Sequence, residues 1–83
     1  MKYVVKLKPS AEKALNKLDK EKQTKIKRVL YELSMDPYIG KKLKGDLGGE
    51  YTVRAWPYRV IYRIYKNELI VFIIKIGHRQ GVY

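Results

Sequence analysis

Residues 54–83 read RAWPYRVIYRIYKNELIVFIIKIGHRQGVY, and the fold turns on this stretch. Residues 58–65 and 69–76 are two runs rich in β-branched and aromatic residues, separated by the turn signal Lys66-Asn67-Glu68. The second run is nearly all apolar, the pattern of a central strand buried on both faces. Ahead of them, Tyr51-Thr52-Val53-Arg54-Ala55 reads as a further strand, joined through a tight Trp56-Pro57 connection. Two features depart from an ordinary meander. Arg59 lies inside an apolar strand pattern, and the ending Gly77-His78-Arg79-Gln80-Gly81-Val82-Tyr83 gathers the only histidine, an arginine and a tyrosine.

Alternate residues of a strand share a face. Tyr51, Val53, Tyr58, Val60, Tyr62 and Ile64 therefore suit a face packed on helices. Thr52, Arg54, Arg59, Ile61 and Arg63 fall on the other. The short connection brings Arg54 and Arg59 together on adjacent strands, where like charges are destabilising unless an anion lies between them. This arrangement is a candidate phosphate site, and the alternative is that the two side chains splay into solvent.

Upstream residues read as support. Residues 2–7 alternate as a short first strand. Pro9 or Ser10 starts a helix in which Ala11, Ala14, Leu15 and Leu18 recur at helical spacing. Asp19 is an N-cap candidate for a second helix carrying Ile26, Val29, Leu30 and Leu33 on one face. Lys22, Lys25 and Arg28 line the opposite face, either as an RNA contact or as a solvated surface. Asp36-Pro37 ends this helix. Residues 38–50 read as a loop combining Gly40, Gly45, Gly48 and Gly49 with Lys41, Lys42 and Lys44. Glycines with lysines suit phosphate binding, but GxxxxGK[ST] is absent, so this is no nucleotide P-loop. The order β-α-α-β-β-β predicts a single α+β domain over residues 1–83, an antiparallel-rich meander sheet with a helical hairpin on one face.

Composition sets the bounds. The chain has 83 residues, no cysteine and one histidine, which excludes a disulfide frame and argues against a protein-only zinc site. No metal and no cofactor are expected. The pattern at Met1-Lys2-Tyr3 is not that of a signal peptide, and the longest apolar run, residues 69–74, is too short to span a bilayer. The expected compartment is the cytoplasm. Nineteen Lys and Arg face eight Asp and Glu, a formal charge of +11. The excess is spread through the fold, with ten basic against five acidic residues in 1–40 and nine against three in 41–83. Glu has not risen with Lys as it does on thermophile surfaces, so the imbalance points to a polyanion or an acidic partner. His78 has no carboxylate nearby in sequence, which leaves a Ser-His-Asp relay without support and His78 a polar strand-end residue.

These residues resemble the RelE/ParE superfamily of toxins from type II toxin–antitoxin pairs. The resemblance covers nearly the whole chain. It rests on the element order, Leu43-Lys44-Gly45, Tyr51-Thr52-Val53-Arg54, Tyr58-Arg59-Val60-Ile61-Tyr62 and the Gly77-His78-Arg79…Val82-Tyr83 ending. The presence of the strand-three arginine and the terminal Arg…Tyr pair looks like the RelE branch, whose fold is also that of microbial ribonucleases. For this branch the resemblance implies a ribosome-dependent endoribonuclease, an mRNA interferase that cuts mRNA in the A site and inhibits translation. The 2′-hydroxyl would attack the adjacent phosphate. Arg59, Arg79, Tyr83 and Arg54 take catalytic positions, and Lys44 a basic loop position, with Lys41, Lys42, Lys22, Lys25 and Arg28 as further RNA-binding candidates. Thr52 departs from the best-known members, which carry a second strand-two lysine there. The implied partners are mRNA, the ribosome and a RelB-like acidic antitoxin in a hetero-oligomer, with the free toxin monomeric. Two alternatives remain at this point: a ParE-like DNA gyrase poison, and an inactive toxin-like protein that only binds antitoxin or operator DNA.

Overall fold

The computed structural model describes residues 3–43 and 49–78. The elements are β1 (Val4–Leu7), α1 (Pro9–Asn16), α2 (Lys20–Met35), a 3₁₀ turn (Pro37–Ile39), β2 (Lys41–Lys42), β3 (Glu50–Ala55), β4 (Tyr58–Tyr65) and β5 (Ile70–His78). They form one sheet in the order β1-β5-β4-β3-β2. The three long strands make the expected antiparallel meander, with Arg54 opposite Arg59 and Arg59 opposite Gly77.

The sheet adds two features to that meander. First, β1 runs parallel to β5, with Val4 opposite Ile70 and Leu7 opposite Ile73. The helical hairpin serves as the long crossover that a parallel pairing requires. Second, residues read as loop contribute a two-residue edge strand, Lys41 opposite Thr52 and Lys42 opposite Tyr51. A pair this short has no hydrophobic periodicity, so the pattern that reveals strands is silent there.

Each helix has a local cause. Pro9 sits in the first turn of α1, where its missing N–H costs nothing. The helix ends at Asn16, so Leu18 reaches the core from the link to α2. Asp19 caps α2, its carboxylate accepting the Lys22 backbone N–H at 3.0 Å. Asp36 closes α2 through its N–H to the Glu32 carbonyl, while its side chain accepts the Tyr38 N–H at 3.0 Å and so starts the 3₁₀ turn.

One face of the sheet buries the helices. Ala11, Leu15, Ile26, Leu30 and Leu33 pack on Ala55, Val60, Tyr62, Val71, Ile73 and Ile76. Each large apolar side chain so buried contributes roughly 1.5–3 kcal/mol. β5 differs from expectation. Val71, Ile73 and Ile76 are buried, but Phe72 and Ile74 are only half-buried, because the helices cover a single face. A register shift at Ile61/Tyr62 interrupts the β4–β5 ladder, with β4 keeping regular pairing to β3.

The Asp19 cap makes a testable contribution. The Lys22 backbone N–H holds its carboxyl below the ordinary carboxylate value, with the nearby Lys22 ammonium adding to the effect. A carboxyl whose pKa is lower in the folded chain stabilises the fold above its unfolded pKa of ~3.9 and loses that contribution as pH falls through the folded value. Asp19→Asn keeps the cap acceptor and removes the titration. Urea denaturation at neutral and acid pH should therefore show a shallower loss of stability for the variant.

Candidate functional site

The face of the sheet turned away from the helical core carries the basic residues. Arg54 ends β3 and Arg59 begins β4, and the two-residue link at Trp56-Pro57 sets them directly opposite each other. Opposed residues of antiparallel strands have Cα atoms ~4.5–5.5 Å apart, so the two positively charged arms start from neighbouring points. Arg54 is exposed and Arg59 half-buried.

These two arginines line an open groove of about 810 Å³ together with Ile39, Gly40, Lys41, Lys42, Leu43, Thr52 and Val53. One wall is the segment from Ile39 to Leu43, and the floor is β3 and β4. The groove thus unites Lys41 and Lys42, read from the glycine–lysine loop, with Arg54 and Arg59, read from strand alternation. All four cations face one space, which suits a phosphodiester: guanidinium groups offer bidentate donors and lysines add unspecific positive charge.

The other positions fall elsewhere. Lys22, Lys25 and Arg28 lie on α2 and do not line the groove. Lys22 pairs with Asp19 at 3.5 Å, and Lys25 Nζ donates to the Trp56 carbonyl at 2.9 Å, tying α2 to the β3–β4 turn. Lys44, Arg79 and Tyr83 lie outside the described residues. His78 stands opposite Tyr58 at the end of β5 and meets its ring edge-on at a centroid distance of 5.8 Å. Farther along the open face, Arg63 forms an ion pair with Glu50 at 3.1 Å, and that hydrogen bond raises the guanidinium pKa further.

The contact that seats the groove's wall, between Gly40 and Tyr62 behind it, was not legible in the sequence. Gly40 lies so close to the sheet that a Cβ there would overlap the Tyr62 hydroxyl and stand 2.8 Å from the Thr52 carbonyl oxygen. Tyr62, fully buried on the core face, donates its hydroxyl to the Pro37 carbonyl at 2.7 Å and accepts the Gly40 N–H at 3.2 Å. The separations of 25 and 22 residues explain why no local motif announces these contacts.

Thr52 sits in the floor with its hydroxyl buried and without a hydrogen-bond partner among the described residues. A buried unpaired hydroxyl carries a desolvation cost, and an apolar side chain of the same shape removes it. Thr52→Val is expected to stabilise the chain by roughly 1 kcal/mol in urea denaturation.

Comparison with known proteins agrees with this geometry. Residues 5–83 match the family model of the ParE toxin of the type II toxin–antitoxin system parDE. Toxin RelG of Mycobacterium tuberculosis is 31% identical over 85 residues, covering 100% of this chain and 98% of that protein. A putative RelE-like toxin protein of Escherichia coli is 31% identical over 82 residues, covering 96% of this chain and 86% of its own length. Among solved structures, the archaeal RelE–RelB complex from Pyrococcus horikoshii superposes with a TM-score of 0.84 at 28% identity, covering 100% of both chains. The RelBE2 toxin–antitoxin complex of M. tuberculosis gives 0.85 at 30% identity, covering 95% of this chain and 100% of that one. With the sheet, the helical hairpin and the basic groove in place, these similarities show that the chain belongs to the RelE/ParE family of toxins from type II toxin–antitoxin systems.

Proposed function

We propose that this toxin is an endoribonuclease that cuts mRNA in the ribosomal A site. The observation carrying this reading is the in-register pair Arg54 and Arg59, set in a groove that also holds Lys41 and Lys42. In the proposed reaction the ribose 2′-hydroxyl loses its proton and attacks the adjacent phosphorus. The P–O5′ bond breaks, giving a 2′,3′-cyclic phosphate, and the departing 5′-oxygen takes up a proton.

Arg59 holds the scissile phosphate, and its charge stabilises the anionic transition state. Arg54, Lys41, Lys42 and Lys44 complete the cationic bed. Arg79 stands by the leaving oxygen as charge stabiliser or proton donor. Tyr83 acts as the base, a role that neighbouring positive charge would favour by stabilising the phenolate. Free Tyr and Arg are poor at proton transfer near neutrality, so rate enhancement rests on orientation and electrostatics. Such a set suits an enzyme whose substrate is positioned by a larger machine. Lys22, Lys25 and Arg28 would meet RNA of the ribosome on the α2 surface.

The natural antagonist is a RelB-like acidic antitoxin, which would form a hetero-oligomer and offset part of the +11 charge. The free toxin would be a monomer acting in the cytoplasm, where its mRNA substrate is. The solved relatives that are toxin–antitoxin complexes support the antitoxin partner.

A second reading, a gyrase poison, draws on the ParE name of the matching family model. One experiment separates the two. The purified chain is incubated with mRNA-programmed ribosomes and, separately, with gyrase and supercoiled DNA. Cut mRNA with no trapped DNA breaks is the expected result. Trapped breaks with intact mRNA would overturn it in favour of the poison, and neither product would leave an inert binder.

A further inference from the structure

The groove is built from a floor and a wall. Its floor is β3 and β4, locked into a five-stranded sheet. Its wall is the segment from Ile39 to Leu43, whose only strand is the two-residue β2. Among the described residues the two-residue ladder is extended only by the Leu43 N–H, which donates to the Glu50 carbonyl at 2.8 Å, and both Lys41 and Lys42 are exposed. A further contact behind Lys41 would hold the wall to the floor at its other end, so that four cations meet one bound strand.

Tyr62 is placed to do this. The tyrosine lies on β4, three positions after Arg59 and on the opposite face of the strand. Its ring is fixed by stacking on Tyr51 at a centroid distance of 5.6 Å, and Tyr51 in turn meets Tyr38 edge-on at 6.1 Å. Its hydroxyl spans the 3₁₀ turn, donating to the Pro37 carbonyl and accepting the Gly40 N–H. These two backbone groups lie at the start and just beyond the end of that turn. One buried hydroxyl thereby fixes the turn that leads into Lys41. Gly40 completes the fit, since only a residue without Cβ can lie between the Tyr62 hydroxyl and the Thr52 carbonyl oxygen.

We propose that Tyr62 is a positioning residue for the groove. Through Pro37 and Gly40 it docks the Lys41–Lys42 wall onto the same strand that carries Arg59, so that wall and floor grip one nucleic-acid backbone together. This rests on the reading of the groove as an RNA site. The device acts entirely from the core face: Tyr62 never meets the ligand. Arg59 on one side of β4 and the Tyr62 hydroxyl on the other give the strand two functions in four residues.

The test is the salt dependence of RNA binding. For a single strand, each phosphate contact contributes about 0.7 to the slope of log K against log salt. Binding of a short single-stranded RNA is measured across a salt series for the parent chain, Tyr62→Phe, Gly40→Ala and Lys41→Ala. Tyr62→Phe keeps the stacked ring and deletes the hydroxyl. Gly40→Ala keeps the hydroxyl and pushes the wall away. Both are expected to lower the slope by about 0.7–1.4, as one or two lysine contacts are lost, and to leave little further effect for Lys41→Ala in the same chain. A stability role alone changes the folded fraction, which circular dichroism reads, and leaves the slope of the folded chain untouched. Parent-like slopes in both folded variants would overturn the role of Tyr62. A parent chain that shows no salt-dependent RNA binding would overturn the reading of the groove itself.

Discussion

Arg59→Ala is expected to lower A-site mRNA cleavage by about 10²–10³-fold, the range seen when one preorganised donor to a developing oxyanion is removed. The expectation follows from where the charge sits. Arg59 projects from β4, the middle strand of the sheet, and its neighbour across the ladder is Arg54. Positive charges opposed in this way repel, and an anion between them relieves the repulsion. A phosphate that gains negative charge at the transition state does so more strongly than the ground-state diester. Removing one guanidinium should therefore depress turnover more than affinity. Arg54→Ala is expected to weaken binding more than turnover, since Arg54 is the more exposed of the pair. The measurement is single-turnover cleavage on programmed ribosomes, with affinity taken separately. Since neither side chain belongs to the core, both variants should unfold near the parent midpoint.

Tyr62→Ala is expected to destabilise the chain by about 3–5 kcal/mol, the cost of truncating a large buried aromatic. The total stability of a domain is about 5–15 kcal/mol, so this is a large share. Tyr62 is fully buried and stacks on Tyr51. Its loss also leaves the Pro37 carbonyl and the Gly40 N–H without their partner. Tyr62→Phe deletes only the hydroxyl and should cost roughly 1–3 kcal/mol. The two variants separate packing from hydrogen bonding in one urea titration series. There is also a signature in alkali. Burial is the main cause that pushes the Tyr62 pKa from 10.0 up to about 12, with the Gly40 N–H working against it. A group whose folded pKa is raised stabilises the fold below its unfolded value and loses that contribution as pH climbs to the folded one. The parent should therefore lose stability between pH 10.0 and about 12, and Tyr62→Phe should lack this part of the loss.

The legible parts of the molecule are those governed by periodicity. Alternation placed Val60 and Tyr62 towards the helices and Arg54 and Arg59 away from them, and the structure has them so. The Asp19 cap and the Asp36-Pro37 stop of α2 were likewise readable, because they depend on neighbours within one turn. Parallel pairing of β1 with β5 was not, since a strand's partner is set by where the helices lead the chain. The half-exposure of Phe72 and Ile74 was missed for a related reason. A continuous apolar run suggests two covered faces, whereas here the helices cover one. In the groove, the cations of floor and wall were both visible, but the seating of the wall was not. Lys41 and Lys42 looked like loop residues, and what seats them is a hydroxyl 22 residues away from Gly40.

The groove's role as the scissile-phosphate site is tested most directly by mapping mRNA ends on programmed ribosomes, with the parent chain and Arg59→Ala side by side. The expected result is breaks within the A-site codon, bearing 2′,3′-cyclic phosphate ends, that appear with the parent and fall by about 10²–10³-fold with the variant. Intact mRNA with the parent, or the same breaks at the same rate with Arg59→Ala, would contradict it.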